Sequence, residues 1–539
     1  MERRCSHASL PVKPVTPKRT MSYSRSAMVD TVVRVPCDAR CVARSTLQDI
    51  LDMLLLAVVP RTNATTGTRR DPMASPIAGT AIRIGYAQCR WRVASRHRRT
   101  FTAAASDSSG RSKSASMGAP TESEEKREAV RARLWSELAR GRAGSVPRVM
   151  GSIQSESRPD DGVVIDRLML APESASEGTE HAVPVAIVRP HGDWDDKLPV
   201  VAFLHGTGGD TEGLMPSLIA MAVRGYIAVG VDAPCHGRRL DPGSMLGQSS
   251  SFDVGADVDM PAEGLGHGSG NRRERTFERY GAALVAAWRG EEGNEETNEE
   301  TNEEGNEGRH SGVARPFLYD GAWDALRALR FVTRGDDYGD LTDPSRVAIS
   351  GISLGGMYAW LAGAADPSLV TGAVAPIIGV QQFAWGLLNQ SWRARVDSLP
   401  PALFATAAQD LKGNMRAVDA ELVGAVYRRI CPGLIDELDG PSSLPLIAPR
   451  PLLVVNGELD PRCPYPGLMN AVTETRAAYA SANKDNLFRT LVQRDTPHMC
   501  TSEMSDVVNR WLDETLRPQR PATPVPTKGN LDPATWIEL

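Results

Sequence analysis

A short apolar strand, a glycine-punctuated corner and an apolar helix follow one another in the second half of the chain. The strand candidate is Val347–Ile349, the corner is Gly351-Ile-Ser353-Leu-Gly355, and apolar residues at helical spacing follow from Met357 to Ala364. A serine hydroxyl is a poor nucleophile unless a sharp turn holds it out beside a base, and the glycines allow that turn to close. The pattern predicts a nucleophile elbow at Ser353. The alternative is a glycine-rich turn whose serine only caps the helix.

Two later strand candidates end in residues that could complete a Ser-acid-His triad in the chain order that such an elbow requires. The apolar run Pro451–Asn456 leads to Asp460, and the alternating run Leu487–Gln493 leads to His498. Of nine histidines, His498 is the only one that follows Ser353, so it is the candidate base. The alternative is a solvated loop histidine.

The acid has three candidates. Glu458 lies two residues before Asp460, and Asp495 lies three residues before His498. Asp460 is preferred, because a triad acid has to reach the histidine from a neighbouring strand end.

A glycine-rich loop upstream has the composition of an oxyanion hole. The strand candidate Leu198–Leu204 runs directly into His205-Gly-Thr-Gly-Gly209. Glycines let backbone N–H groups approach an oxygen on which negative charge develops, and such preorganised donors stabilise that charge. The predicted donors are the amides of Thr207 and Leu354. His205 opens the loop and precedes the serine, so we interpret it as structural rather than as a base.

The order of these motifs, with Asp232-Ala-Pro-Cys-His-Gly237 between the loop and the elbow, resembles the α/β-hydrolase superfamily. The segment Ile447–Asp460 is similar to the branch of dienelactone hydrolases, acetyl-xylan-esterase-like proteins and prolyl-oligopeptidase catalytic domains. The resemblance covers about residues 160–516. It implies an α/β fold with a mostly parallel central sheet flanked by helices and a helical cap insertion. It also implies a catalytic Ser353, Asp460 and His498.

Two departures limit what the resemblance implies. Dienelactone hydrolases present a cysteine at the elbow, so lactone opening is not implied for Ser353. The chain has no room for the propeller of prolyl oligopeptidases. The expected function is hydrolysis of a carboxylic ester, thioester or similar acyl bond of a small molecule through an acyl-enzyme, without a cofactor. The alternatives are acyl transfer to another acceptor, and a ligand-binding protein that keeps the fold without useful turnover.

The domain prediction centres on the hydrolase domain, residues 160–516, which contains an acidic insertion at 289–311 and a cap region at 381–446. The insertion includes a four-residue repeat with nine Glu between residues 291 and 308, whose charge and low hydrophobicity predict disorder. A helix and linker (119–159) precede the domain, and a Pro-rich tail (517–539) follows it. The cap aromatics are pocket candidates by resemblance, or ordinary packing residues: Phe383, Trp385, Trp392 and Tyr427.

Residues 1–118 carry 20 Lys or Arg against seven Asp or Glu. This acid-poor, Ser-rich composition predicts a disordered basic arm and is typical of a chloroplast or mitochondrial transit peptide. If translation starts at Met117 instead, the arm is a gene-model extension and the protein is cytoplasmic. The arm has no periodic basic face, which argues against nucleic-acid binding. Its apolar cluster, Leu47–Val59, is too short for a membrane span.

Charge and cysteine usage agree with this interpretation. The net charge of −5, less the +13 of the arm, leaves about −18 on the remainder, which does not favour a nucleic-acid partner. Eight cysteines lack framework spacing, so free thiols in a reducing compartment are expected. Cys235 and His236 alone cannot supply the ligands of a metal site, and no metal is predicted. The sequence leaves the oligomeric state open.

Overall fold

The computed structural model describes residues 122–173 (except 141 and 143), 181–240 (except 193 and 195), 270–290, 314–518 and 531–539. The predicted basic arm, residues 1–118, lies outside the described residues. Of the predicted acidic insertion, 289–311, only residues 289 and 290 are described.

A ten-stranded sheet forms the centre of the described chain. Its spatial order is β1-β2-β3-β5-β4-β6-β7-β8-β9-β10. The six strands from β5 to β9 in this order are mutually parallel, while β1, β2, β3 and β10 pair antiparallel. The strands are β1 Gln154–Arg158, β2 Val163–Leu170, β3 Val183–Pro190, β4 Leu198–Leu204, β5 Ile227–Val231, β6 Thr342–Ile352, β7 Ala373–Ile377, β8 Leu452–Gly457, β9 Phe488–Gln493 and β10 Trp536–Glu538.

Helices cover both faces of the sheet, which explains why strands such as β4 and β8 are buried along their whole length. They are α1 Glu122–Ala139, α2 Met215–Val223, α3 Gly270–Arg289, α4 Tyr319–Arg334, α5 Leu354–Ala365, α6 Phe383–Leu388, α7 Arg393–Val396, α8 Pro401–Lys412, α9 Ala420–Ile430, α10 Gly440–Ser443, α11 Tyr465–Ser481 and α12 Ser502–Leu516.

Different helices cover the two faces of the sheet. Helices α2 and α12 pack on one face through residues such as Leu218 and Trp511. Helices α1, α4, α5 and α11 contribute to the larger core on the other face, with Trp323 and Trp360 fully buried there. The mostly parallel sheet between helical layers confirms the predicted α/β class. No helix in the described residues is both long and apolar enough to cross a bilayer.

The sheet extends beyond residues 160–516 at both ends. Strand β1 lies in the predicted linker, and β10 lies in the predicted Pro-rich tail. The apolar pattern missed both for physical reasons. The sequence of β1, QSESR, is polar because it forms a mostly exposed edge, and β10 has only three residues. Each pairs with the edge of a longer strand, β1 with β2 and β10 with β9.

Five short helices, α6 to α10, lie between β7 and β8, where the cap region was predicted. Phe383 and Tyr427 pack edge to face with ring centroids 5.4 Å apart, and Phe317 stacks on Tyr427. Two of the four aromatic candidates, Phe383 and Tyr427, therefore pack within an aromatic cluster. Trp392 is also buried, whereas Trp385 is half-buried and lies against Gly467.

Candidate functional site

The elbow is a sharp turn between β6 and α5. Ser353 has φ 55° and ψ −106°, a conformation that non-glycine residues rarely adopt and that the surrounding structure must enforce. The Ser353 amide donates to the carbonyl of Ile377 at the end of β7 (2.9 Å). A β-carbon on Gly351 would lie 2.6 Å from the carbonyl carbon of Gly355, so the corner can only close with glycine at position 351.

The glycine-rich loop after β4 lies directly against this turn. A β-carbon on Gly355 would overlap the backbone of Leu204, and one on Gly206 would lie 3.6 Å from Cβ of Ser353. Neither the Thr207 amide nor the Leu354 amide donates a hydrogen bond to another residue in the described part of the chain. Among the described residues, both predicted oxyanion donors are therefore unpaired, and that of Leu354 directly follows the serine. The Leu354 amide is also at the amino end of α5, where the helix dipole favours negative charge.

Ser353, His498 and Asp460 form one hydrogen-bonded chain. His498 Nε2 lies 2.8 Å from Ser353 Oγ, and His498 Nδ1 lies 2.7 Å from Asp460 Oδ2. The structure thus brings together the three residues that the sequence proposed, each on a loop that follows a parallel strand. Because Asp460 accepts at Nδ1, the neutral imidazole carries its proton there and presents Nε2 to the serine.

The second carboxylate oxygen of Asp460 is held by backbone. Oδ1 accepts from the amides of Arg462 (2.8 Å) and Cys463 (2.9 Å). Burial alone would raise the pKa of Asp460. The hydrogen bond and charge of His498, together with the Cys463 amide, outweigh burial and hold that pKa below its ordinary value. Asp460 is therefore ionised at neutral pH and fixed in orientation.

The pKa of His498 is also below its ordinary value. Burial is the largest cause, and the charges of Arg395 and Arg462 act in the same direction, whereas Asp460 opposes them. The imidazole is consequently neutral at physiological pH and able to accept a proton.

The competing acid Glu458 has another partner. Glu458 Oε2 accepts from the Asp495 amide at 3.1 Å. This bond helps to join the loop of Asp460 to the loop of His498, as do the bonds from the amide of Glu458 to Gln493 and from Leu459 to Thr496. Asp460 is the carboxylate bonded to His498.

His205 uses both ring nitrogens on backbone. Its Nε2 accepts from the Ala233 amide (3.0 Å), and its Nδ1 lies 2.9 Å from the Gly206 carbonyl. It therefore ties the glycine-rich loop to the turn after β5 and has no nitrogen left for proton transfer. In the same turn, burial lowers the pKa of His236 to about 3, and Asp232 accepts from the Thr211 amide. These contacts describe a structural turn.

Two polar residues of the cap region support the acid loop, and sequence reasoning missed both. Arg395 of α7 donates to the Arg462 carbonyl (2.9 Å) and lies 3.4 Å from Cys463 Sγ. With the amide of Gln381 oriented to satisfy its neighbours, its nitrogen donates to the Arg462 carbonyl and its oxygen accepts from Arg395. A side chain that contacts backbone carbonyls requires no particular sequence motif at its partner. The sequence showed only that Arg462 lies two residues after Asp460.

Asp460, Cys463 and His498 could in principle hold a metal, because their ligand atoms lie within 4.8 Å of one another. The donor set does not fit that role. Both nitrogens of His498 are engaged, one by Asp460 and one by Ser353. Burial raises the pKa of the Cys463 thiol strongly, and this protonated thiol donates to the Ile378 carbonyl (3.3 Å). The described cysteines, Cys235, Cys431, Cys463 and Cys500, are free thiols.

A cavity of about 320 Å³ lies away from this site, near Cys235 and between α3 and α4. Its charged lining is largely paired internally, for example Arg239 with Asp324 (2.5 Å). None of the three triad residues lines it.

No protein-family model matches the chain, and no curated protein matches it. Solved structures do. Acetyl xylan esterase 1 from Thermoanaerobacterium sp. is 13% identical over 72% of this chain and 93% of its own, with a TM-score of 0.42. An acetyl xylan esterase from Paenibacillus sp. is 17% identical over 73% and 93% (TM-score 0.40), and a glucuronoyl esterase from Solibacter usitatus is 12% identical over 71% and 91% (TM-score 0.37).

Each of these structures is named as an esterase. At these identities and TM-scores the similarity says nothing of the substrate or reaction of this chain. The strand order and the helical layers of this chain are those of the α/β-hydrolase fold predicted from its motifs.

Proposed function

We propose that the protein is a serine hydrolase that cleaves a carboxylic ester, thioester or similar acyl bond of a small molecule. The single observation that carries the proposal is the unbroken chain of hydrogen bonds from Ser353 Oγ through His498 to Asp460. A structural serine in a helix-capping turn has no need of a buried imidazole at 2.8 Å, or of an acid fixed behind that imidazole.

The proposed reaction has two halves. As Ser353 Oγ attacks the carbonyl carbon, His498 Nε2 takes its proton, and the carbonyl oxygen gains negative charge beside the Thr207 and Leu354 amides. Collapse of this tetrahedral species breaks the bond to the leaving group, which receives the proton from His498. In the second half, water loses a proton to His498 and attacks the acyl-enzyme, and the serine hydroxyl is regenerated.

Asp460 remains ionised throughout this cycle. Its ionised carboxylate stabilises the imidazolium that forms at His498 and prevents the ring from rotating. No step requires a cofactor, because nucleophile, base and oxyanion donors all come from the chain.

The test is hydrolysis of a series of p-nitrophenyl esters of increasing acyl length by the full chain. We expect turnover by the native protein and by Ser345→Ala, whose serine lies at the opposite end of β6, and none above background by Ser353→Ala. A fluorophosphonate probe should label the native protein and Ser345→Ala but not Ser353→Ala.

The outcomes separate the alternatives. A folded protein that neither turns over an ester nor reacts with the probe would overturn the hydrolase proposal and favour a ligand-binding role. Transfer of the acyl group to an added alcohol in preference to water would show an acyltransferase instead.

A further inference from the structure

Three arginines from separate elements surround the catalytic centre. Arg395 comes from α7, Arg462 follows Asp460 by two residues, and Arg273 lies in the first turns of α3. Arg395 is buried and, in the described residues, bonds to uncharged partners rather than to a carboxylate. Its charge therefore adds to the field at the site.

Arg462 is half-buried, and its guanidinium has no hydrogen-bond or ion-pair partner in the described part of the chain. Its amide donates to Oδ1 of Asp460 (2.8 Å), whose Oδ2 is bonded to His498, and its charge lowers the pKa of that imidazole. Burial lowers the pKa of Arg462 itself, and the charges of Arg395 and Arg273 lower it further, whereas the Asp460 carboxylate opposes them. Two neighbouring cations favour the binding of a further anion at this guanidinium.

Arg273 approaches from the side of the oxyanion loop. Its Nε lies 3.5 Å from the position of a β-carbon on Gly208, the residue after Thr207. Its guanidinium stacks over Phe277 on the same helix, 5.9 Å from the ring centroid, which orients the exposed side chain without neutralising it. Arg462 and Arg273 therefore reach the site from the acid loop and from the oxyanion loop.

The described carboxylates around the site are already engaged. Asp460 serves His498 and two backbone amides. Asp210 accepts from Arg272 (3.1 Å) and from the Gly213 amide. Glu458 accepts from the Asp495 amide. In the described residues, none of these carboxylates forms an ion pair with Arg462 or Arg273.

We propose that the substrate carries a carboxylate and that Arg462 and Arg273 bind it next to the scissile acyl bond. This inference rests on the proposed hydrolase function and names its substrate class. A planar guanidinium binds a carboxylate through two parallel N–H donors, which favours arginine at such a position. Because Arg462 lies on the side of His498, which protonates the leaving group, we place the carboxylate on the alcohol part of the ester.

The experiment compares kcat/KM of the full chain for 4-acetoxybenzoate with that for its neutral methyl ester. A second pair, mono-4-nitrophenyl glutarate and its neutral amide, places the charge on the acyl part instead. We expect the native protein to favour the anionic member of the first pair by about ten- to hundredfold, the range of a charge-assisted hydrogen bond. Arg462→Gln and Arg273→Gln should each reduce that preference, and the double variant should abolish it.

The controls separate charge from folding. Arg462→Lys retains the charge but not the paired donors and should keep part of the preference. Arg334→Gln removes an exposed arginine at the end of α4. The chain runs from there to the amino end of β6, opposite the edge of the sheet that carries Ser353. This variant should keep the whole anionic preference. Urea unfolding of each variant shows whether it remains folded, and because each preference is a ratio of two kcat/KM values for one variant, a general change in activity does not alter it.

A neutral preference in the native protein, or an anionic preference that survives the double variant, would overturn the inference while leaving the hydrolase proposal intact. An anionic preference confined to the glutarate pair would overturn its assignment to the alcohol part. Calorimetry with Ser353→Ala removes the dependence on turnover: this variant should bind 4-acetoxybenzoate more tightly than the methyl ester. Additional Arg462→Gln should reduce the difference, and Arg462→Gln together with Arg273→Gln should remove it. Equal binding of the two compounds would count against the carboxylate site even if no ester were hydrolysed.

Discussion

Gly457 lies so close to Thr496 that a β-carbon at position 457 would overlap the Thr496 carbonyl oxygen. This contact joins the loop of Asp460 to the loop of His498. We expect Gly457→Ala to destabilise the fold by about 1–3 kcal/mol, the usual cost of overpacking. It should also lower kcat/KM, since the two loops must separate. Urea unfolding and ester hydrolysis measure the two effects.

Gly386→Ala is the matched control for this change. Gly386 is also buried, but a β-carbon there would meet only the Ser391 carbonyl oxygen, at 3.9 Å. Alanine in helix α6 should be neutral or stabilising by up to about 1 kcal/mol. If both alanine variants behaved alike, close approach at Gly457 would not be the cause.

Asp460→Asn should lower kcat on the order of 10⁴-fold with little change in unfolding, because asparagine can hold His498 in the wrong tautomer. Glu458→Gln is the comparison, since that side chain contacts the Asp495 amide and not the imidazole. It should retain most of the activity. Comparable losses in the two variants would remove the distinction between these acids.

The pH profile should follow His498. The imidazole must be neutral to accept the serine proton, and burial with the charges of Arg395 and Arg462 holds its pKa below 6.5. For a neutral ester, kcat/KM should therefore be level above pH 6.5 and fall as the pH drops through that pKa. Arg462→Gln removes a positive charge, so the acid limb should move to higher pH. Arg334→Gln should leave it in place, and a downward movement in Arg462→Gln would contradict the assignment.

The Asp439 carboxylate should contribute strongly to the stability of the cap region. Its buried carboxylate accepts from the amides of Phe383, Ala384 and Gly440, at 2.8–2.9 Å. Asp439→Ala would leave buried N–H groups without a partner, which we expect to cost about 2 kcal/mol or more of unfolding free energy. Asp436→Ala breaks only an exposed pair with Arg428 and should cost about 1 kcal/mol or less. Chemical denaturation of both variants tests the difference.

The three residues that the structure joins by hydrogen bonds could be proposed from chain order. Ser353, Asp460 and His498 each follow a strand, and that position limits the base to one candidate and the acid to three. The sequence predicted less about side chains whose partners are backbone groups. Arg395 supports the acid loop through a carbonyl, and no pattern in α7 indicates this.

Elements with atypical composition were also harder to predict. Helix α3 begins with the charged run Asn271-Arg-Arg-Glu-Arg-Thr, and β7 is only five residues long and contains a proline, Pro376. The apolar residues of α3 begin only after this run, at Phe277, and β7 is too short to show a period. Yet α3 brings Arg273 to the glycine-rich loop, and the end of β7 accepts the Ser353 amide.

The three-residue strand β10 has a practical consequence for anyone shortening or tagging this protein. Its residues pair with Leu491, Val492 and Gln493 of β9, directly before the loop of His498. Removing β10 would leave unpaired backbone N–H and C=O groups along the edge of β9, and sheets of separate molecules pair through such edges. Aggregation, rather than a clean loss of turnover, would be the first symptom, and an affinity tag is safer away from Leu539.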